Sequence, residues 1–115
     1  MREIASEIEW AKVSQVSPED FATEIDKRIQ KPRVSTDKLA KVYAAYESVK
    51  KQELAIDFED VLLLTAAMIE EERIVRERVQ DQYRYFTIDE YQDISPIQQR
   101  LINSWLGSRQ DICVV

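Results

Sequence analysis

The chain has 115 residues, of which 44% are hydrophobic and 33% charged, a composition that is ordinary for one folded domain. It has no histidine and one cysteine, Cys113, which excludes zinc fingers, disulfide frameworks and histidine-dependent catalytic sites, and its single glycine, Gly107, excludes a glycine-rich phosphate-binding loop. The net charge of −6 argues against a protein that binds polyanions over its whole surface.

Two helices are predicted before residue 33. The first covers roughly residues 2–14, where apolar side chains recur at helical spacing. The second is predicted to begin with Ser17 as its N-cap and to end before Pro32, because the residue preceding a proline disfavours helical geometry. The apolar face of the second helix would consist of Phe21, Ile25 and Ile29.

Three further helices are predicted up to about Gln82. Ser35 or Thr36 opens the first of them, which ends near Leu54. Its apolar stripe contains Leu39, Val42, Tyr43, Tyr46 and Val49. The next helix begins at Asp57 and is apolar on all sides over residues 61–69, as is typical of a helix covered by neighbours. A shorter amphipathic helix follows the acidic residues 70–72.

The last third of the chain changes character. Residues 85–88 are aromatic and β-branched, as in a buried strand, and residues 111–115 form a second such run, in which Cys113 would be a buried apolar residue. Between them, Ser95 begins a helix and Gly107 ends it. A strand, a helix, a glycine and a strand at this spacing predict a βαβ unit with two parallel strands.

The predicted fold class is therefore mainly α, with a helical part followed by a terminal βαβ piece. Two parallel strands do not make a stable sheet by themselves, because parallel sheets need several strands with both faces covered. We therefore expect the chain to be a piece of a larger α/β protein.

The residues best suited to chemistry follow the first predicted strand. They are Asp89, Glu90, Tyr91, Gln92 and Asp93. Open α/β sheets bind ligands at the carboxyl ends of their strands, where an aspartate can hold the Mg²⁺ of a nucleoside triphosphate and a glutamate can deprotonate the attacking water. On spacing alone, acidic residues that merely end a strand or cap a turn are an equally good interpretation.

These residues also resemble a known motif. Residues 89–93, with Ile-Ser-Pro-Ile-Gln at 94–98, resemble motif II of the UvrD/Rep/PcrA-type superfamily 1 helicases. Residues 56–62 resemble the Asp-Phe-x-Asp-Leu-Leu segment that precedes motif II in that family. More loosely, residues 8–12 and 17–20 resemble the early part of its helical subdomain 1B. The resemblance covers almost the whole chain in the family's order.

The resemblance implies an ATP-dependent DNA helicase that translocates 3′ to 5′ on single-stranded DNA and unwinds DNA in repair or replication. Its ATPase site would lie between two RecA-like domains of a P-loop NTPase core. Residues 1–82 would be the 1B-like subdomain and the helices that return into domain 1A. Residues 83–115 would be a partial RecA-like segment that contains motif II, the Walker B motif.

The same resemblance assigns roles to single residues. Asp89 would coordinate Mg²⁺ and Glu90 would be the catalytic general base, while Gln92 and Asp93 would couple the nucleotide state to neighbouring motifs. The family's phosphate-binding loop (Walker A), Gly-x-x-x-x-Gly-Lys-Ser/Thr, does not occur in this sequence. ATP and Mg²⁺ are therefore expected as cofactors of the intact parent protein, and the chain alone is expected to bind neither tightly and to hydrolyse no ATP.

A basic stretch runs from Lys27 to Lys51, with eight lysines and arginines against two acidic residues. Such a stretch in an acidic chain can mark a surface that contacts phosphates, although a solvated helix face is the commoner explanation. Because subdomain 1B lies beside DNA in the family, the resemblance favours weak binding of single-stranded or junction DNA through Lys31, Arg33 and Lys38.

Two alternatives remain open. The chain could be a helical protein-interaction module without motor activity, which associates with itself through exposed strand edges. A nuclease-fused relative of the same helicases would carry the same motifs in this region. In each case, the sequence has no apolar run long enough for a membrane span and no hydrophobic leader, and its lone cysteine favours a reducing, cytoplasmic location.

Overall fold

The computed structural model describes all 115 residues and confirms the mainly α class, with six α-helices and two short strands. In chain order the elements are α1 (Arg2–Val13), α2 (Phe21–Asp26), α3 (Thr36–Gln52), α4 (Phe58–Glu71), α5 (Arg73–Gln82), β1 (Phe86–Ile88), the 3₁₀ turn Tyr91–Asp93, α6 (Pro96–Leu106) and β2 (Ile112–Val114). The chain divides into two compact units, Met1–Asp57 and Phe58–Val115. None of the helices combines the length and the apolar character that crossing a membrane requires.

The core of the first unit is built where α1, α2 and α3 meet. Its fully packed members are Ala11, Phe21, Ile25, Leu39 and Tyr43. The ring of Phe21 lies edge-on to the rings of Trp10 and Tyr43, with centroids 6.4 and 5.8 Å away. The Tyr43 hydroxyl donates to the backbone oxygen of Val16 at 2.8 Å, so the ring is buried without leaving its polar end unpaired.

The second helix is shorter than the sequence predicts. The backbone N–H of Asp20 donates to the hydroxyl of Ser17 at 3.3 Å and to its carbonyl oxygen at 3.2 Å, which closes a turn ahead of the helix. At the other end, the N–H of Arg28 bonds the carbonyl of Ile25, three residues back instead of four, and the helix has stopped. The predicted stripe through Ile29 is therefore wrong, and this side chain is fully exposed.

Helix α3 begins where it was predicted to, because the Ser35 side chain accepts a hydrogen bond from the backbone N–H three residues on. Leu39 and Tyr43 are buried, whereas Tyr46 and Val49 are exposed and do not belong to the core. This part of α3 has charged and polar neighbours in place of apolar ones, since Lys12 of α1 bonds Glu47 and the Tyr46 hydroxyl bonds Asp57.

In the second unit, α4 packs against α5 and α6, and the buried residues are Ala66, Ile69 and Ile97. The prediction that α4 is covered on most sides is wrong. The exposed side chains on its open face are Phe58, Val61, Leu64 and Met68. Two neighbouring helices bury one face of α4 and leave the other open.

The predicted βαβ unit is confirmed. Strands β1 and β2 pair in parallel, with Phe86 opposite Ile112, and α6 connects them. The helix begins with a capping box, in which Ser95 and Gln98 exchange side-chain and backbone hydrogen bonds, and Gly107 ends it with a positive φ of 63°.

The strands are not buried on both faces as predicted. Phe86 stacks on Trp105 of α6, with ring centroids 6.0 Å apart and planes 15° apart. Successive strand side chains point to opposite faces, so Thr87 and Cys113 lie on the face away from α6, where they are exposed. The predicted burial of Cys113 is wrong because α6 covers one face only.

Candidate functional site

Residues 89–93 follow directly after β1, at the carboxyl end of the strand. Because β2 is parallel to β1, its carboxyl end lies at the same edge. The N–H of Val115 donates to the carbonyl of Ile88 at 2.9 Å, and the carbonyl of Val115 accepts from the N–H of Tyr91 at 3.2 Å. This edge is where open α/β sheets bind ligands, and all five residues are exposed there.

The backbone turns sharply at Glu90, which has left-handed angles of φ 52° and ψ 42°. This conformation costs a residue with a side chain about 1–2 kcal/mol. Two hydrogen bonds hold it: the N–H of Glu90 donates to Oδ1 of Asp89, and the N–H of Asp93 donates to the carbonyl of Glu90, each at 2.9 Å. The turn therefore fixes the direction in which the Glu90 side chain leaves the strand.

The structure brings three of the four predicted catalytic-site residues into contact. Asp89 bonds the backbone of Glu90, and the side-chain amide of Gln92 donates to Oε2 of the Glu90 carboxylate. Asp93 contributes its backbone N–H to the turn, while its side chain is exposed.

Asp89 has the chemistry to bind a nucleotide-associated Mg²⁺. No group of three or more histidine, cysteine or acidic side chains is arranged to hold a metal ion. Such a group is unnecessary for Mg²⁺ on a nucleotide, which uses one or two protein carboxylates together with phosphate oxygens and water. Oδ1 of Asp89 is occupied by the N–H of Glu90, and its second carboxylate oxygen makes no hydrogen bond and is available to a cation.

Tyr91 links this turn to α6. Its hydroxyl donates to Oε1 of Gln99 at 2.7 Å, and the amide nitrogen of Gln99 donates to Oδ1 of Asn103 at 2.9 Å. No pattern in the sequence indicates these partners, because Gln99 and Asn103 are ordinary polar residues of a helix.

The predicted DNA-contacting residues lie in and after the connection between α2 and α3. Lys31 is exposed, and its ammonium is 3.6 Å from a carboxylate oxygen of Asp26. Arg33 is exposed, and its backbone N–H donates to Oε1 of Glu3 at 2.6 Å. Lys38 is exposed in the first turn of α3.

Much of the basic stretch is neutralised within the first unit. Lys27 pairs with Glu24 at 2.5 Å, and Lys50 is nearly buried against acidic residues. Arg28 bonds Glu7 at 2.5 Å, and its guanidinium lies 4.5 Å from the ring centre of Trp10. Four exposed cations of the stretch make no side-chain ion pair. They are Arg33, Lys38, Lys41 and Lys51.

Sequence reasoning missed a part-buried cluster of charged and polar side chains around Asp57, which we call the Asp57 cluster: Lys12, Tyr46, Glu47, Lys50 and Asp57. Oδ2 of Asp57 accepts from Lys12 at 2.5 Å, from Lys50 at 2.9 Å and from the Tyr46 hydroxyl at 2.8 Å. Both ammonium groups also bond Oε1 of Glu47, at 3.2 and 2.9 Å. The available signal was spacing, since Lys12 and Lys50 each lie four residues after a member of an apolar stripe.

The Asp57 cluster raises the pKa of Tyr46. Desolvation, followed by the hydrogen bond to Asp57 and the negative charge of that carboxylate, raises the pKa of Tyr46 to about 12. The ring also lies 5.0 Å from the Lys50 ammonium and 5.9 Å from that of Lys12. Tyr46 is thus a structural hydrogen-bond donor rather than a ring available for stacking on a base.

Comparison with known proteins identifies the family. The family model for the UvrD/REP helicase N-terminal domain matches residues 1–115. The chain is 44% identical over 118 residues to the ATP-dependent DNA helicase UvrD2 of Mycobacterium tuberculosis (strain ATCC 25618 / H37Rv), an alignment that covers 100% of this chain and 17% of that protein. It is 31% identical over 114 residues to the ATP-dependent DNA helicase PcrA of Leuconostoc citreum, with 99% and 14% covered.

A third relative is the ATP-dependent DNA helicase Rep of Escherichia coli (strain K12), which is 36% identical over 76 residues, with 66% of this chain and 11% of that protein covered. The chain thus spans less than a fifth of the length of these relatives. Because the family model matches the chain from end to end and two relatives above 30% identity align with nearly all of it, the chain belongs to the UvrD/REP helicase N-terminal domain family.

Proposed function

We propose that this chain is the part of an ATP-dependent DNA helicase that carries the acidic residues of motif II. The observation that carries the proposal is the placement of Asp89 and Glu90 at the carboxyl edge of a parallel βαβ unit, where nucleotide sites of α/β proteins form. The family supports it, since relatives that align with nearly all of this chain are named ATP-dependent DNA helicases.

Each residue of the motif has a separate task. Asp89 binds Mg²⁺, and the ion offsets the negative charge of the nucleotide phosphates. Glu90 takes a proton from the attacking water as the general base. The amide of Gln92 donates to Oε2 of Glu90, and Oε1 has no hydrogen bond and is free to face the water. Gln92 and Asp93 connect the site to neighbouring motifs of the parent protein.

We assign residues 1–82 to a 1B-like helical subdomain with the helices that return into domain 1A, and residues 83–115 to a partial RecA-like segment. The end of the first compact unit at Asp57 supports a division between 1B itself and the return helices α4 and α5. The parallel pairing of β1 and β2 around α6 supports the RecA-like assignment.

The proposal predicts a strict dependence on Glu90. In the complete protein that contains this chain, Glu90→Gln should lower DNA-stimulated ATP turnover by about 100-fold or more, because it removes the general base, and Asp89→Asn should do the same by weakening Mg²⁺ binding. The measurement is phosphate release at saturating single-stranded DNA, and the chain alone, which lacks the phosphate-binding loop, should release none.

Matched controls are available in the same unit. Glu72→Gln and Asp81→Asn make the same chemical changes at exposed positions whose side chains have no partner, and both should retain wild-type turnover. Turnover by the Glu90→Gln variant at the wild-type rate would contradict the proposed role of motif II.

We further propose that the first unit contacts DNA phosphates through Lys31, Arg33 and Lys38. All three are exposed in one short region, and phosphate contacts of this kind give affinity without sequence preference. Fluorescence anisotropy of a labelled single-strand/duplex junction should show binding that weakens as salt rises and that is lost on Lys31→Glu/Arg33→Glu.

The control for this experiment changes the net charge equally and elsewhere. Arg73→Glu/Arg78→Glu reverses two exposed cations of α5 and should leave the anisotropy titration unchanged. Equal losses in the two double variants would mean that only overall charge matters, and would contradict a specific surface.

A second candidate function is a helical self-association module without motor activity. The observation that favours it is the open apolar face of α4, together with the strands of a two-stranded sheet whose outer edges are unpaired. This function needs neither carboxylate of motif II, so a complete protein that self-associates and releases no phosphate from ATP would favour it.

A further inference from the structure

A side-chain hydrogen bond attaches Tyr91, the residue after the proposed general base Glu90, to helix α6. The hydroxyl of Tyr91 donates to Oε1 of Gln99 at 2.7 Å, and Tyr91 directly follows Glu90 in the chain. We propose that Gln99 is a positioning residue that acts on Glu90 through Tyr91. The inference rests on the function proposed above, in which Glu90 activates water.

The side chain of Gln99 is held in one orientation. Its amide oxygen accepts from Tyr91, and its amide nitrogen donates to Oδ1 of Asn103 at 2.9 Å, one helical turn further on. The Tyr91 hydroxyl could also accept a hydrogen bond, but turning the Gln99 amide over would place its oxygen against Oδ1 of Asn103, and two acceptors repel each other. Gln99 is therefore a fixed point on the surface of α6 to which the turn is attached.

Tyr91 is held at its main chain as well as at its ring. Its N–H donates to the carbonyl of Val115 at 3.2 Å, and its carbonyl accepts from the N–H of Ile94 at 3.2 Å. The main chain of Tyr91 is thereby attached to the end of β2, and its hydroxyl to α6. A movement of α6 relative to the strands would pull on Tyr91 and change the backbone angles of the preceding residue.

Glu90, the residue before Tyr91, tolerates a change of its backbone angles poorly. Glu90 has a left-handed backbone, and its N–H and carbonyl are both engaged, by Asp89 and by Asp93. A general base must stay within hydrogen-bonding reach of its water, so a shift of about 1 Å in the carboxylate weakens proton transfer. The proposed function assigns Mg²⁺ binding to Asp89 and proton transfer to Glu90, so a displaced Glu90 should lower kcat for ATP hydrolysis and leave KM for ATP unchanged.

Gln98 and Gln99 are neighbours with different tasks. Oε1 of Gln98 accepts from the backbone N–H of Ser95 at 3.0 Å, so this side chain closes the capping box at the start of α6. Gln99 points to the turn and has no part in the cap. The effect of Gln99 on the site is therefore not a consequence of holding the helix together.

The test uses Tyr91→Phe and Gln99→Ala in the complete protein that contains this chain. Each change removes one partner of the same hydrogen bond, so kcat for ATP hydrolysis should fall by about three- to tenfold while KM for ATP is unchanged. The double variant should be no slower than the slower single variant, because the second change removes nothing further. The controls are Tyr85→Phe and Gln110→Ala, which make the same chemical changes at exposed positions whose side chains have no partner, and both should keep wild-type kcat.

The outcomes separate this inference from the proposed function. If Glu90→Gln abolishes turnover while Tyr91→Phe and Gln99→Ala match their controls, the positioning role is wrong and the proposed function stands. Additive losses in the double variant also overturn the coupling. If Glu90→Gln turns over normally, the proposed function is wrong and the inference falls with it.

A second measurement tests the same inference if Tyr91→Phe or Gln99→Ala prevents the complete protein from folding. In the 115-residue chain, hydrogen exchange of the Tyr91 backbone amide, followed by NMR, should accelerate in Gln99→Ala and not in Gln110→Ala. Equal exchange rates in the two variants would contradict the attachment of the turn to α6.

Discussion

One carboxylate oxygen of Asp57 receives hydrogen bonds from three side chains, and two of these donors are almost fully buried lysines. The side chains of Lys12 and Lys50 are 8% and 10% exposed, so their ammonium groups have lost most of the water that would otherwise stabilise them. A buried ion pair adds little net stability, but removing one partner leaves the other charge uncompensated. The Asp57 cluster therefore makes the first unit sensitive to changes at this one residue.

We expect Asp57→Asn to lower the free energy of unfolding of the chain by about 2–4 kcal/mol, because two buried ammonium groups lose one of the two carboxylates that they share and keep only the part-exposed Glu47. Urea unfolding followed by circular dichroism measures the loss. Asp26→Asn is the matched control, since its ion pair with Lys31 is long and exposed, and it should cost less than about 0.5 kcal/mol. Equal losses in the two variants would mean that the cluster contributes no more than a surface pair.

The sequence holds a local signal for the lysines of this cluster, which our sequence analysis did not use, and none for their partner. Lys12 lies four residues after Ile8 and Lys50 four residues after Tyr46, so both occupy inward positions of their helices. Asp57 is 45 residues from Lys12, and the sequence predicts it as the acidic residue that begins α4. Local spacing indicates which way a side chain points, whereas a pairing over this separation depends on how the helices pack.

The sequence predicts the ends of a helix well where a capping residue at that end makes the terminal hydrogen bonds. Ser35 and Ser95 cap α3 and α6 with hydrogen bonds three residues away, and Gly107 ends α6. A serine at a predicted helix start was misleading at Ser17. The backbone N–H of Asp20 donates to both the hydroxyl and the carbonyl oxygen of Ser17, so a separate turn forms in place of the first turn of a helix. Strand and helix positions followed from the pattern, but burial did not, since it depends on what lies against each face.

Helices α4 and α6 are joined by an ion pair that responds to pH. Arg100 donates two hydrogen bonds to the Glu70 carboxylate, at 2.9 and 2.7 Å, and these, with the adjacent positive charge, hold the pKa of Glu70 below its usual range. A lowered folded-state pKa means that the stabilisation is complete above the pKa of the unfolded chain and is lost as the pH falls through the folded-state value.

We therefore expect Glu70→Gln to lower the melting temperature at neutral pH, with a stability loss of at most about 1 kcal/mol because both partners are part-exposed. The difference from the wild type should disappear once the pH is below the lowered pKa of Glu70, where the wild-type carboxyl is also uncharged. Thermal melts at neutral and strongly acidic pH test this, and a pH-independent difference would show that charge is not the cause. Glu77→Gln, whose partner Arg73 is 3.4 Å away at the surface, serves as the control.

For the molecule as a whole, the composition and the helical periodicity were sufficient to predict a mainly α chain with one βαβ unit. They were not sufficient to predict which apolar surfaces are covered. Residues 61–69 have the composition of a core helix, yet Leu64 and Met68 are each about half exposed, at 54% and 49%. An apolar sequence shows that a surface favours burial, and only the packed structure shows whether this chain supplies the cover.

We expect the 115-residue chain to associate with itself at high concentration through the open face of α4. Light scattering over a concentration series should show a rising mean mass for the wild type and a constant monomer mass for Leu64→Glu/Met68→Glu, because two charges on the face oppose its burial. Gln30→Glu/Gln52→Glu adds the same charge at exposed polar positions of the first unit and should behave as the wild type. A wild-type mass that stays monomeric throughout would contradict the expectation.

Cys113 gives the protein a built-in attachment point for a spectroscopic label. It is the sole cysteine of the sequence, it is exposed in β2, and it pairs in register with Thr87, two residues before Asp89. Because strand side chains alternate, it lies on the face away from the Phe86–Trp105 stack, so a thiol-linked fluorophore would not disturb that packing. Changes at the carboxyl edge of the 115-residue chain, such as those expected from Gln99→Ala, can therefore be followed by fluorescence without first replacing another cysteine of this chain.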